Sequence, residues 1–285
     1  MAEASPPAGS DWTAMRVGAA VGLTDVAVVY PWAVIATRRE NGQALRHAVG
    51  QGRLWSGGMA ASTMLLPYSM LVETLSGSVN RSAAALGLSE RDSMAVAAAT
   101  TAAVATLGTQ PIEKKLVLDQ MLQDSKAAAP RQPLGPLRAL AAPTLELAAY
   151  AQAHGMRALY GGMVALYLRE LTYMAAITAV NPIVTAELSK PRPGEDPARG
   201  FWRGFGGSLA VGGAAGIASA PFQTVNAMAK SEENRGTSSI ALLRRIFRER
   251  GLAGGWHRLY YGAATRSVRT ALISSVYYSW RKAFN

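Results

Sequence analysis

Long stretches without charged residues are the feature that most limits how this chain can fold. A helix needs about 20 residues to cross a bilayer. Between Arg16 and Arg38 the only charged residue is Asp25, and three further stretches carry no charge at all. Two more apolar segments are interrupted by pairs of charged residues. The six candidate spans are 16–38, 54–72, 93–112, 158–186, 204–229 and 259–280. Six soluble amphipathic helices are the alternative, but the many small residues favour close helix packing in lipid.

Composition excludes several classes of function. Only 16% of the 285 residues are charged, against about 25% in average globular proteins. The chain has no cysteine and three histidines, which argues against disulfides, thiolate chemistry and a histidine-rich metal site. The sequence contains no phosphate-binding loop and no nucleophile elbow, so we expect no enzymatic activity. The net charge is +11, but the long uncharged spans argue against a nucleic-acid-binding surface.

Two sequence marks alternate along the chain, with one pair in each third. The first is a proline after a run of small and apolar residues, at Pro31, Pro111 and Pro221. The second is Leu-aromatic-x-Gly, which ends at Gly57, Gly162 and Gly262. Because a proline inside a helix removes a backbone hydrogen bond and kinks the helix, we expect each proline to lie where helices pack together. The alternation predicts three repeats, each with two helices.

These interleaved marks resemble the mitochondrial carrier family over nearly the whole chain. The resemblance implies an all-α membrane protein with six transmembrane helices in three tandem repeats, arranged with pseudo-threefold symmetry around a central cavity. It also implies short amphipathic helices on the matrix side; residues 242–250 fit one, and the first repeat has room only for a shortened one. We expect a mobile N-terminus at 1–10 and carrier repeats at 11–82, 83–190 and 191–285.

The family closes each end of its cavity with ion pairs, and this sequence departs from both motifs. On the matrix side, the acid positions are Ala33, Glu113 and Gln223, and the base positions are Ala36, Leu116 and Asn226. Glu113 alone has the charge that the motif requires. At the opposite gate, the acid positions are Gly77, Pro182 and Lys282, and the base positions are Asn80, Thr185 and Asn285; Glu73 is charged but lies one turn early. We therefore expect no ring of ion pairs at either end, with hydrogen bonds from Gln223 and Asn226 as an alternative closure.

A few charged residues remain where the family contacts its substrate. These positions are Met64, Arg169 with Glu170, and Arg269. The Arg169–Glu170 sequence resembles the Arg–acid pair of carriers for amino acids, in which a carboxylate would bind an arginine and an ammonium would bind Glu170. The alternative is that these charges pair with each other as an inherited cavity lining. The sequence leaves the role of Asp25 open.

The missing gates predict a carrier-like protein of the mitochondrial inner membrane that is impaired in transport and serves as an accessory subunit of a larger complex, such as a respiratory complex. The alternative is an active carrier of a small amino-acid-like or carboxylate solute. We expect both termini to face the intermembrane space; the outer membrane is the alternative location. We expect no cofactor other than bound cardiolipin or another anionic lipid. The expected lipid site is the basic cluster Arg244, Arg245, Arg248, Arg250, His257 and Arg258.

Overall fold

The computed structural model describes residues 10–40, 44–50, 54, 58–124, 136–234 and 236–284. Within these residues the chain is helical and contains no β-strand, which confirms the predicted all-α class. The helices are α1 (Ser10–Thr24), α2 (Tyr30–Glu40), α3 (Leu45–Gly50), α4 (Gly58–Ala85), α5 (Glu90–Asp124), α6 (Pro136–His154), α7 (Met156–Leu159), α8 (Met163–Met174), α9 (Asn181–Leu188), α10 (Pro197–Lys230), α11 (Ser239–Leu259) and α12 (Ala263–Phe284). A 3₁₀ turn lies at Glu232–Asn234.

Two π-helical segments join shorter helices into continuous rods. Asp25–Val29 connects α1 to α2, and Ala175–Val180 connects α8 to α9. Each segment ends two residues before a proline, Pro31 or Pro182. A proline has no N–H group and its ring collides with the carbonyl one turn earlier. The wider π turn lies where the regular hydrogen-bond pattern has to change.

Six helical rods pack into a ring in the described part of the chain. The rods are α1–α2, α4, α5, α8–α9, α10 and α12, and each contacts the rods before and after it. The last rod, α12, also contacts α1 and α2, which closes the ring. Successive rods run in opposite directions. We call the end where α1 begins and α12 ends the terminal end, and the end connected by α3, α6 and α11 the loop end.

Glycines allow two pairs of rods to approach closely. A Cβ atom added to Gly18 of α1 would lie 2.5 Å from the Cα of Met70 in α4. A Cβ atom added to Gly212 of α10 would lie 2.5 Å from the carbonyl oxygen of Thr270 in α12. Atoms cannot approach this closely, so these two interfaces require glycine. Such small-residue contacts are typical of helix packing in membranes.

The ring has an apolar outer surface and many polar residues inside. Exposed apolar side chains include Leu23, Ile183 and Trp202, each more than 60% exposed. Among the residues that the structure describes, three helical segments are long and apolar enough to cross a membrane. A soluble bundle has the opposite distribution of polar and apolar residues, so this arrangement is that of a membrane protein. The three segments are Trp12–Ala36, Met156–Leu188 and Ala198–Lys230.

The second and third Leu-aromatic-x-Gly marks have the same structure. Gly162 and Gly262 have φ angles of 84° and 91°, in the left-handed region that favours glycine. Each lies directly before a rod, α8 or α12, and the leucine of each mark is buried (Leu159 and Leu259). In the first mark, Gly57 lies outside the described residues.

The connections at the loop end differ in length. The helix between the first two rods, α3, has six residues and α6 has 19, whereas α11 spans 21 residues in two helical pieces that meet at a kink at Gly251 (φ 67°). The predicted amphipathic stretch 242–250 lies in α11, and its Leu242 and Ile246 are buried.

The connection between α9 and α10 is held by a side chain at the terminal end. Arg203 donates hydrogen bonds to the carbonyl oxygens of Leu188 and Lys190, both at 2.8 Å, and pairs with Glu195. The Arg203 guanidinium lowers the pKa of the Glu195 carboxyl. The carboxylate is therefore ionised at neutral pH and keeps this short connection closed against α10.

Candidate functional site

A polar cavity lies inside the ring, between the loop end and the terminal end. We call it the central cavity; its empty volume, including the space at its mouth, is about 670 Å³. Arg169, Glu170 and Arg269, which the sequence predicts as substrate contacts, all line this cavity. The other lining residues are Asp25, Leu65, Tyr68, Ser69, Thr109, Glu113, Tyr173, Ser219, Arg266, Thr270, Ile273 and Tyr277.

Arg169 of α8 uses all three of its side-chain nitrogens on neighbouring protein groups. Its Nη2 atom lies 2.6 Å from Oε1 of Glu113, and its Nη1 atom donates to Gln223 Oε1 at 2.8 Å. Its Nε atom donates to Glu170 Oε1 at 2.9 Å. The second carboxylate oxygen of Glu170 accepts a hydrogen bond of 2.6 Å from the Tyr68 hydroxyl. The Arg169–Glu170 pair is therefore engaged within the protein and links four rods.

Toward the loop end, Glu113 of α5 pairs with two cations from different rods. One is Arg169 of α8, and the other is the fully buried Lys230 at the end of α10. Asn226 Nδ2 donates a long hydrogen bond of 3.4 Å to the same carboxylate. The sequence predicts only that no complete ring of ion pairs forms at this gate; the two pairs on Glu113 go beyond that expectation. Lys230 lies one helical turn beyond the expected base position at Asn226, so it reaches the acid from the same face of α10.

Toward the terminal end, Arg281 of α12 pairs with Glu73 of α4. The Nη2 and Nε atoms of Arg281 donate to the two carboxylate oxygens of Glu73 at 2.6 and 3.3 Å. The sequence predicts only that no ring of ion pairs forms at this end, and the Glu73–Arg281 pair goes beyond that expectation. Glu73 lies one turn before the expected acid position, Gly77, and Arg281 lies one turn before the expected base position, Asn285. Both residues are therefore shifted by the same amount along their helices.

A buried tyrosine separates the central cavity from a second cavity at the terminal end. Tyr277 lines the central cavity, is 1% exposed, and packs in an apolar cluster with Val17 and Ile177. Its ring lies 5.5 Å from the guanidinium carbon of Arg281. Arg281 and Glu73 line the second cavity. The two cavities are thus divided by an apolar layer and an ion pair.

Four further residues at the predicted loop-end gate positions carry no charge. Ala33 packs among apolar residues of α2 and α4 and Ala36 is buried, whereas Gln223 and Asn226 hydrogen-bond to Arg169 and Glu113. The ion pairs described above join α5 to α8 and α10 toward the loop end, and α4 to α12 toward the terminal end. This pattern is less symmetric than three equivalent pairs. The side chains of Met64 and Leu116 lie outside the described part of the structure.

The three marked prolines lie in three different rods. Pro111 and Pro221 are inside α5 and α10, and Pro31 is near the start of α2, after the π-helical segment. Glu113 and Gln223 each follow a proline by two residues. The prolines therefore precede the polar cluster in α5 and α10.

Comparison with models of known protein families finds no match, and a search of curated protein sequences finds no relative.

Proposed function

We propose that this protein is a membrane carrier that moves a small carboxylate or amino-acid-like solute by alternating access. In this proposal the six rods are transmembrane helices in three repeats with the pseudo-threefold architecture of mitochondrial carriers. The observation that carries the proposal is a polar central cavity bounded at both ends by interhelical ion pairs. The Glu113–Lys230 pair lies toward one end and the Glu73–Arg281 pair toward the other.

Ion pairs at two ends of a cavity are suited to a two-state cycle. Each pair joins rods that would have to separate for the cavity to open at that end. A solute shifts such an equilibrium only by binding one state better than the other. When the loop-end pairs break, the Glu73–Arg281 pair and the Tyr277 layer still close the terminal end, and the reverse holds in the other state.

The proposed location is the mitochondrial inner membrane, with both termini on the intermembrane-space side. Two features support this location: the apolar outer surface, and the resemblance of the interleaved proline and glycine marks to those of mitochondrial carriers. The basic residues of α11 are exposed (Arg244, Arg248 and Arg250 among them), which suits contact with anionic lipid headgroups such as cardiolipin.

One observation favours a second candidate, the accessory subunit without transport. Ala33 and Ala36 leave the first rod without an ionised side chain at the two positions that the gate motif assigns to it. A gate to which the first rod contributes no charge at these two positions is more suited to a bundle that stays in one state. In this candidate the partner would be a respiratory or other inner-membrane complex.

Uptake by liposomes distinguishes the two candidates. The purified chain is reconstituted and tested with labelled amino acids, keto acids and nucleotides. A carrier takes up at least one solute, and Lys230→Met, which removes one of the two ion pairs on Glu113, changes the rate strongly. Lys190→Met removes an exposed pair with Glu187 and serves as the matched control. Absence of uptake, together with stable co-purification with a membrane complex, would support the accessory subunit instead.

A further inference from the structure

We propose that Asp25 and Arg269 form the recognition site for the ammonium and carboxylate groups of an α-amino acid. This inference rests on the proposed carrier function and names the substrate class of its central cavity. It assigns a role to Asp25 and moves the main substrate contact away from the Arg169–Glu170 pair.

The two charges face each other across α1–α2 and α12 without forming a hydrogen bond. The closest approach, between Arg269 Nη2 and Asp25 Oδ2, is 3.8 Å. A charge-assisted hydrogen bond has a length of about 2.7–2.9 Å. Both residues line the central cavity, so a bound molecule can contact both of them.

Each of these side chains also has a buried polar atom with no hydrogen-bond partner. These atoms are Asp25 Oδ1 and Arg269 Nε. Buried polar groups in native proteins nearly always have a partner, so an exception requires an explanation. One is a carboxylate oxygen that needs a donor, and the other is a guanidinium N–H that needs an acceptor. An α-amino acid supplies both: its ammonium donates and its carboxylate accepts.

The charged groups Arg169, Glu113 and Glu170 of the cavity are already engaged with one another. Arg169 is bonded to Glu113, Glu170 and Gln223, and Glu170 also accepts from Tyr68. A solute would have to break several of these hydrogen bonds to bind there. Binding between Asp25 and Arg269 adds hydrogen bonds without removing any that the structure contains.

The backbone around Asp25 is also unusual. Asp25 begins the first π-helical segment, and its carbonyl oxygen accepts the N–H of Tyr30 in the wider π pattern. π-helical turns inside α-helices occur often at functional sites. An ionisable side chain inside a membrane-spanning helix likewise indicates a functional role.

A ligand-binding experiment on the full-length chain in detergent tests the inference. Each of the twenty standard amino acids is added, and the thermal unfolding midpoint is measured. The amino acid with the largest effect is then compared with its des-amino carboxylate and its decarboxylated amine. We expect the amino acid to stabilise the protein, and each analogue to bind on the order of tenfold to a hundredfold more weakly, because each lacks one charge-assisted interaction.

The variant Asp25→Asn should reduce amino-acid binding by a similar factor while changing binding of the des-amino carboxylate little. Glu187→Gln, at an exposed acid of α9, is the matched control and should bind as the unmodified chain does. If Asp25→Asn does not fold, the ligand series on the unmodified chain decides the question. The inference is overturned if no amino acid stabilises the chain, if the des-amino carboxylate is equally effective, or if a folded Asp25→Asn binds normally.

The same ligands in the liposome assay separate this inference from the proposed function. Uptake of a carboxylate that does not require an amino group would overturn the amino-acid site and leave the carrier function in place. Amino-acid binding that depends on Asp25, without uptake of any solute, would support the site and contradict transport.

Discussion

Glu113 is the residue on which the loop-end ion pairs depend. It accepts from Arg169 and Lys230, and Lys230 is completely buried. We expect Glu113→Gln to destabilise the protein by about 3–5 kcal/mol, because it leaves the buried Lys230 without its carboxylate and removes one of the two acids that pair with Arg169. The measurement is the free energy of unfolding in detergent.

The matched control for this variant is the exposed pair of Lys190 and Glu187, whose side chains are 64% and 69% exposed. Glu187→Gln should change the stability by less than about 1 kcal/mol, because solvent screens exposed pairs. Equal effects of the two substitutions would show that burial does not determine how much the ion pairs of Glu113 contribute to the free energy of unfolding.

The charged residues of the central cavity and of the ion pairs at its two ends could be predicted only in part from the sequence. The polar character of Arg169, Glu170 and Arg269 inside an apolar helix indicated a cavity, and all three line one. The spacing of the gate motif did not predict Lys230 and Arg281, because the motif assigns the basic residue to a single position on each helix. Residues one turn apart project from the same face, so a long cation at either position can reach the same acid.

The contact between α10 and α12 depends on glycines spaced along one face of α10. A Cβ atom added to Gly212 would lie 2.5 Å from the Thr270 carbonyl oxygen. We expect Gly212→Val to destabilise the protein by about 1–3 kcal/mol, the usual effect of overpacking. Thermal unfolding in detergent measures the change.

Gly206 lies in the same helix and provides the comparison. No atom lies within 4 Å of a Cβ added there, and alanine has a higher helix propensity than glycine. Gly206→Ala should therefore be neutral or slightly stabilising. A large loss of stability in Gly206→Ala would contradict the argument that close helix contact, and not glycine flexibility, is what Gly212 supplies.

The positions of the helices follow closely from the pattern of charges, but the ends of the helices and the π-helical segments do not. Each predicted span overlaps one rod, because a bilayer-length apolar segment has few alternatives to a helix. The rods continue past the uncharged residues; α4, for example, extends to Ala85, beyond the predicted limit of 72. The π-helical segments were not predicted, because a proline alone does not determine whether a helix kinks or widens before it.

At the scale of the whole molecule, the carrier proposal uses the closed ring of antiparallel rods to predict which segments share one side of the membrane. Arg192 and Lys282 belong to the terminal end, whereas Arg248 belongs to the loop end, and all three are exposed. An even number of membrane crossings places both termini on the same side. The carrier proposal requires this topology, since a bundle of three spans would place the chain ends on opposite sides.

The chain contains no cysteine, so single-cysteine variants give labelling without background. In liposomes of uniform orientation, we expect a membrane-impermeant maleimide to label Arg192→Cys and Lys282→Cys from one side and Arg248→Cys only after permeabilisation, or the reverse. These substitutions are at exposed positions and should leave the fold intact. Labelling of Arg192→Cys and Lys282→Cys from opposite sides would contradict the six-span arrangement, because the rods α10 and α12 between them can then no longer both cross the membrane.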